Sequence, residues 1–217
     1  MEDGLLTTVV GAARIVGVRV CHLLFERGQA DTSATAARGS AGEAVGRRPY
    51  HPSGWFFVRR AFRGLRVRPD DVFIDLGSGM GRVVCQVARQ FRFQRVLGVE
   101  IDPALAAVAE ENVRRLGTAR RAGQIELVTA DLRTHPVPDD VTFVYLFNPF
   151  GPDILSAVLD SLRESILRTP REVTIIYANP KYEQVIVDAG GFRRVRTSNG
   201  WPGRDDTRIA IFRHELQ

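Results

Sequence analysis

The chain has 217 residues, 44% of them apolar and 25% charged, with a formal net charge of +5 and an isoelectric point near 9.8. That length buries one sizeable core, and the composition excludes collagenous, low-complexity and disordered classes. Of the 30 basic residues 29 are arginine, with Lys181 the single exception, and they are scattered along the chain. This scatter, with no appended basic module, argues against a nucleic-acid partner. Cys21 and Cys85 are far apart and lack any metal or redox spacing, so both read as buried thiols and no metal is expected. The N-terminus opens with Glu2 and Asp3, and Arg14 and Arg19 interrupt its apolar run. Neither a signal peptide nor a membrane span is expected, which points to the cytoplasm.

Residues 4 to 26 place Leu6, Val9, Val10, Ala13, Val16, Val20 and Leu24 on one helical face, which can cover a site or pair two copies as a homodimer. From Gly28 to Arg47 large apolar residues almost vanish, so residues 1–47 read as a helix followed by a flexible linker or lid. Structure resumes at Tyr50-His51-Pro52-Ser53-Gly54, where Ser53 can cap a short helix through Trp55, Phe56, Val58 and Phe62. From Asp71 onward, short apolar runs alternate with amphipathic helices, the pattern of a parallel sheet covered on both faces. Strands are expected at 71–76, 95–101, 125–130, 141–147 and 172–178. Helix stripes are expected through Val84, Val87, Ala88 and Phe91, then through Leu105, Val108, Ala109, Val113 and Leu116 up to Gly117. A further stripe through Leu155, Val158, Leu159, Leu162 and Ile166 is capped by Asp153, and a short helix covers 181–189. The runs 192–197 and 207–212, joined by a turn-rich link, suggest a closing antiparallel pair.

The first strand leads into Asp75-Leu76-Gly77-Ser78-Gly79-Met80-Gly81. A dinucleotide fingerprint needs glycine at the first, third and sixth positions, but the sixth from Gly77 is Arg82. A pyrophosphate also favours a helix N-terminus free of negative charge, and Asp75 opposes it. The loop therefore suits a nucleoside that carries positive charge, which S-adenosylmethionine does through its ammonium and sulfonium. Glu100 closes the second strand 21 positions after Gly79, where an acid can accept from ribose hydroxyls. Asp131 closes the third, where it can accept from an adenine amine. Each of the three acids also suits a plain turn or cap.

On these residues, 71 to about 180 resemble the core of the class I S-adenosylmethionine-dependent methyltransferases. The segment Asp75 to Ala88 is also similar to the glycine motif of the non-SET histone-lysine methyltransferases. The resemblance implies a three-layer, Rossmann-like α/β fold with a seven-stranded, mostly parallel sheet and an antiparallel last strand. It implies a methyltransferase domain over 48–217, an N-terminal helical extension, and S-adenosylmethionine as cofactor, bound by Asp75, Gly77, Ser78, Gly79, Gly81, Glu100, Asp131 and Asn148. Asn148-Pro149-Phe150 after the fourth strand is similar to the Asn-Pro-Pro-aromatic motif of amino-directed methyltransferases, with Phe150 in place of the second Pro; the same residues also read as a simple turn. Asn148 would accept from the target amine. His51 is the first candidate for a base, beside Tyr50 as a further catalytic candidate. Tyr50, Trp55, Phe150, Tyr177 and Asn179 are the candidate acceptor contacts. The expected reaction is methyl transfer to N or O of a small molecule. A protein or peptide acceptor is the second reading, a nucleic acid is ranked below both, and a non-catalytic cofactor binder is the alternative outside enzymes.

Overall fold

The computed structural model describes residues 55–147, 150–198 and 207–216; the expected helix of 4–26, the linker, Ser53 and the turn at 199–206 lie outside them. Helix α1 spans Trp55–Ala61, followed by β1 (Val72–Leu76), α2 (Arg82–Gln90), β2 (Arg95–Glu100), α3 (Pro103–Leu116) and β3 (Gln124–Thr129). Then come β4 (Phe143–Phe147), α4 (Pro152–Arg168), β5 (Val173–Ala178), α5 (Glu183–Ala189), β6 (Arg193–Ser198) and β7 (Ile209–His214). One seven-stranded sheet runs β3-β2-β1-β4-β5-β7-β6. The first five strands pair in parallel, and β7 is antiparallel to both of its neighbours. Strand order reverses between β1 and β4, the place where open α/β sheets leave a crevice at the carboxyl ends of their strands.

The apolar runs form strands because both faces are covered, as the unbroken burial of β1 and β5 shows. One face packs under α4 and α5, through Leu155, Leu159, Leu162 and Ile186 against Ile74, Leu146 and Ile175. The other lies under α1, α2 and α3 and is rich in phenylalanine. There Phe62, just past α1, stacks on Phe91 with centroids 4.4 Å apart and meets Phe93 and Phe143 near 6 Å. Phe57 meets Phe147 edge-on at 5.4 Å, so both ends of α1 are keyed to the sheet by ring contacts. At the edge, β3 is only partly buried, and no helix joins it to β4. Among the described residues no helix is long and apolar enough to cross a membrane.

The expected cap of α4 differs: Gly151 is the N-cap and Pro152 takes the first helical position, leaving Asp153 in the first turn against the positive helix end. Phe91, expected within a helix stripe, is the C-cap of α2. Asp102, not anticipated, caps α3 by accepting from the amides of Ala104 and Leu105. In α3 the expected stripe faces the core, Ala109 buried and Val113 and Leu116 half-buried against it, with Ala106 and Asn112 buried in addition.

Gly98, in the middle of β2, is where helix, loop and sheet meet most closely. A Cβ there would lie 2.8 Å from Val84 Cγ2, 2.9 Å from Ser78 Oγ and 3.0 Å from Leu127 Cδ2. Gly98→Ala is expected to lower unfolding free energy by about 1–3 kcal/mol through overpacking, read as a lower denaturant midpoint at unchanged slope.

Candidate functional site

At the carboxyl end of β1 the chain turns through Gly77, Gly79 and Gly81, with φ of 81°, 53° and 71°. These left-handed conformations are strained for residues bearing a Cβ. The loop is fastened on three sides. The amides of Gly77 and Ser78 both donate to Val99 O, at 2.9 and 3.0 Å. Gly79 N donates to Glu100 Oε2 at 2.8 Å. The buried side chain of Asn112 donates to Met80 O at 2.9 Å, tying the loop to α3. At Gly81 a Cβ would meet Ala109 Cβ at 2.9 Å, so α3 approaches through small residues.

Glu100 is 9% exposed, and its carboxylate accepts three amides: Gly79 at Oε2, and Ile101 and Asp102 at Oε1, both at 2.9 Å. Such charge-assisted bonds are stronger than neutral ones, and the carboxylate's remaining lone pairs can accept from further donors. Asp75 is 3% exposed and lies near Glu100. Burial, and secondarily the Glu100 charge, hold its carboxyl well above the usual carboxylate range. Burial thus favours the protonated form of Asp75, and a bound cation would favour the ionised one. Asp131 follows β3 on the same rim, placed beside Glu100 by the bond from Ala130 N to Glu100 O. Its carboxylate is forked by Arg133, with Nε at 3.0–3.1 Å and Nη2 at 2.5 Å.

The three acids therefore lie at the carboxyl ends of adjacent strands, Asp75 within β1, Glu100 closing β2 and Asp131 just past β3. Asn179 is at the same rim, past β5, with φ of 49°, its amide on Arg208 O and its carbonyl accepting from Lys181 N. A left-handed non-glycine residue of this kind is a form of strain that clusters at functional sites. Two expected acceptor contacts sit elsewhere. Phe150 is buried beneath α4, and Tyr177 is 1% exposed inside the sheet, because alternation along β5 turns its side chain into the core. Tyr50, His51 and Asn148 lie outside the described residues, as does the side chain of Trp55, the first residue of α1. Cys85 is buried, its thiol pushed up to about 12 by burial, which leaves it unreactive. Asn112 escaped the sequence reading, although a polar residue inside an apolar helix stripe is the signal that reveals it.

This sheet order, with a glycine loop after β1 and an acid closing β2, is the fold of the class I S-adenosylmethionine-dependent methyltransferases. A solved RNA methyltransferase from Salinibacter ruber, in complex with S-adenosyl-L-homocysteine, superposes with a TM-score of 0.51 at 24% identity, covering 76% of this chain and 94% of that one. Residues 52–123 match the family Histone methylation protein DOT1, so the likeness of the glycine loop to histone-lysine methyltransferases extends back to α1 and on through α3.

A protein-lysine N-methyltransferase of Saccharolobus islandicus is 33% identical over 78 residues, 36% of this chain and 48% of the relative. Ribosomal RNA small subunit methyltransferase A of Thermobifida fusca is 36% identical over 123 residues, 54% of this chain and 42% of the relative. The chain thus spans less than half the length of each of these curated relatives. They also correct one expectation. Nucleic acid was ranked as the least favoured acceptor because no basic module was visible, yet relatives of this same core are RNA methyltransferases. Scatter of arginine along the sequence says little about where arginines gather in the fold.

Ionisation of Asp75 makes cofactor binding depend on pH. Its raised pKa means that folding favours the neutral form, whose contribution to stability is present at low pH and lost as pH rises through the folded value. A cationic ligand reverses this preference. Affinity for S-adenosylmethionine is expected to rise with pH across that transition and to become flat in Asp75→Asn, as read by calorimetry at a series of pH values. Glu100→Ala is expected to weaken the same binding by about 1.5–3 kcal/mol, the worth of a hydrogen bond to a charged group. Unchanged affinity would remove Glu100 from the site.

Proposed function

We propose that the chain is an S-adenosylmethionine-dependent methyltransferase acting on RNA. The observation that carries the cofactor reading is Asp75, a buried carboxyl at the end of β1 beside a loop of left-handed glycines, of which Gly77 is exposed. Such a set fits an ammonium and sulfonium better than a phosphate. Asp75 would face the ammonium, and Gly77, Ser78, Gly79 and Gly81 would line the amino-acid end. Glu100 would hold the ribose with its remaining lone pairs, and Asp131, oriented by Arg133, would meet the adenine edge. When bound, the cofactor supplies an activated methyl group with a neutral leaving thioether.

The chain's own part is then to position and desolvate the acceptor. Asn148 would accept from an acceptor amine, Asn179 would border the same opening, and Tyr50, His51 and Trp55 would cover it. An ammonium or hydroxyl acceptor needs a base, and His51 is the residue to test. The RNA reading is supported by the ribosomal RNA relative and by the solved RNA methyltransferase of similar fold. A lysine acceptor is the second reading, supported by the match over 52–123 and by the Saccharolobus relative.

The deciding test is transfer of a labelled methyl group from S-adenosylmethionine into a cell extract, followed by digestion. Label released by ribonuclease is the expected result, and label released only by protease favours the second reading. Asn148→Ala is expected to lower turnover about tenfold, the worth of one hydrogen bond in the transition state, with cofactor affinity unchanged. Equal turnover would demote that turn to scaffolding.

A further inference from the structure

Arginines that are dispersed in sequence converge on one side of the molecule. Residues 55–69, covering α1 and the turn after it, hold Arg59, Arg60, Arg63, Arg66 and Arg68 and no acidic residue. Beside them runs β6, whose Arg196 donates to the carbonyls of Ala61 and Arg63. Arg60 in turn reaches Ser198 Oγ at 3.2 Å and Thr207 O at 3.1 Å, at the carboxyl rim. At the far end of β6, Arg193 is directly opposite Arg213 across the β6–β7 ladder. Strand alternation puts Arg213 on the same face as Ile211, the face covered by α1.

Two juxtapositions on this face oppose folding. Like charges opposed across a ladder are destabilising, as with Arg193 and Arg213. Arg196 is lowered from its ordinary pKa by burial and then by the charges of Arg63 and Arg60. Among the described residues, the carboxylates paired here are Asp70 and Asp71 with Arg68, and Glu215 with Arg193. Eight arginines thus gather on this face, Arg68 and Arg193 with the carboxylate partners just named. Arg194 and Arg208 are not part of this face, since both pair with Glu183 on α5. Elsewhere arginines and acids are interleaved, as in α4, where Arg163 pairs with Asp160 and Arg168 with Asp139 and Glu164.

Resting on the RNA reading above, we propose that the α1–β6–β7 arginine face is the track that grips the acceptor's phosphate backbone and leads it to the carboxyl rim. The six residues of β6 extend about 20 Å, roughly six base steps at 3.4 Å. Guanidinium groups match phosphate in planar, bidentate fashion. A polyanion relieves both like-charge contacts, which a neutral small acceptor leaves in place. The track begins at an open depression lined by Gly191, Phe192, Arg193, Arg213 and Glu215 and ends where Arg60 meets the start of β7.

The test compares the full chain with a triple variant, Arg59→Gln, Arg63→Gln and Arg66→Gln, and with the matching triple lysine variant. Arg59, Arg63 and Arg66 are exposed and outside the cofactor loop. Binding of a short unstructured RNA is followed across about 50 to 200 mM salt. The glutamine variant is expected to bind at least tenfold more weakly at the low-salt end. Its slope of log affinity against log salt should be smaller by about 2, since each phosphate contact on a single strand contributes about 0.7. The lysine variant should recover most of that slope, and S-adenosylhomocysteine affinity by calorimetry should be equal in all three. RNA bound equally by parent and glutamine variant overturns the track while leaving the RNA reading intact. A parent chain that ignores RNA but methylates a protease-sensitive acceptor overturns both.

Discussion

Glu100 sits where three backbone amides converge on one carboxylate, and the geometry of the site follows from that convergence. By accepting from Gly79, Ile101 and Asp102 it ties the glycine loop to the end of β2 and shapes the turn into α3. Its charge also raises the pKa of Asp75, the second contribution after burial. Burial first and the neighbouring charge second raise Asp75, while Glu100 is satisfied by amides.

The surrounding packing serves that loop. Gly98 and Gly81 mark the two places where a side chain would push the loop away from β2 or α3, and Ala109 and Asn112 supply the small and polar surface against which it rests. On the same face the phenylalanine cluster around Phe62 anchors α1 along the sheet, running between the rim at Phe147 and the far edge near Phe143. That anchoring sets the α1 arginines beside β6. Ring packing on the inner side of α1 therefore determines the charge pattern on its outer side. Like-charge crowding of this kind lowers stability, and it persists where a partner of opposite charge supplies the compensation.

Much of this was legible in the chain. The alternation of buried runs with amphipathic stripes located every strand of the sheet to within about two residues, because strands buried on both faces read as continuous apolar runs. Asp75, the glycines and Glu100 were readable as a unit since they lie within a single βαβ segment whose spacing is set by the length of one helix. Phe150 and Tyr177 were not, since an aromatic ring suits a rim and a core equally well, and the packing against α4 decides for Phe150 as strand phase does for Tyr177. The N-cap of α4 moved to Gly151 because Pro152 is preorganised for the first helical turn, a preference that outweighed the capping side chain of Asp153.

By itself, the sequence determined the class of fold and the chemistry of the loop, through periodicity and local spacing, which act over a few residues and do not depend on distant partners. Tertiary structure alone decided that Glu100 binds the loop's own amides, that Asn112 reaches Met80, and that arginines separated by more than 100 residues share one face. Those are contacts across the sheet order β3-β2-β1-β4-β5-β7-β6, and no local pattern encodes which strand lies beside which.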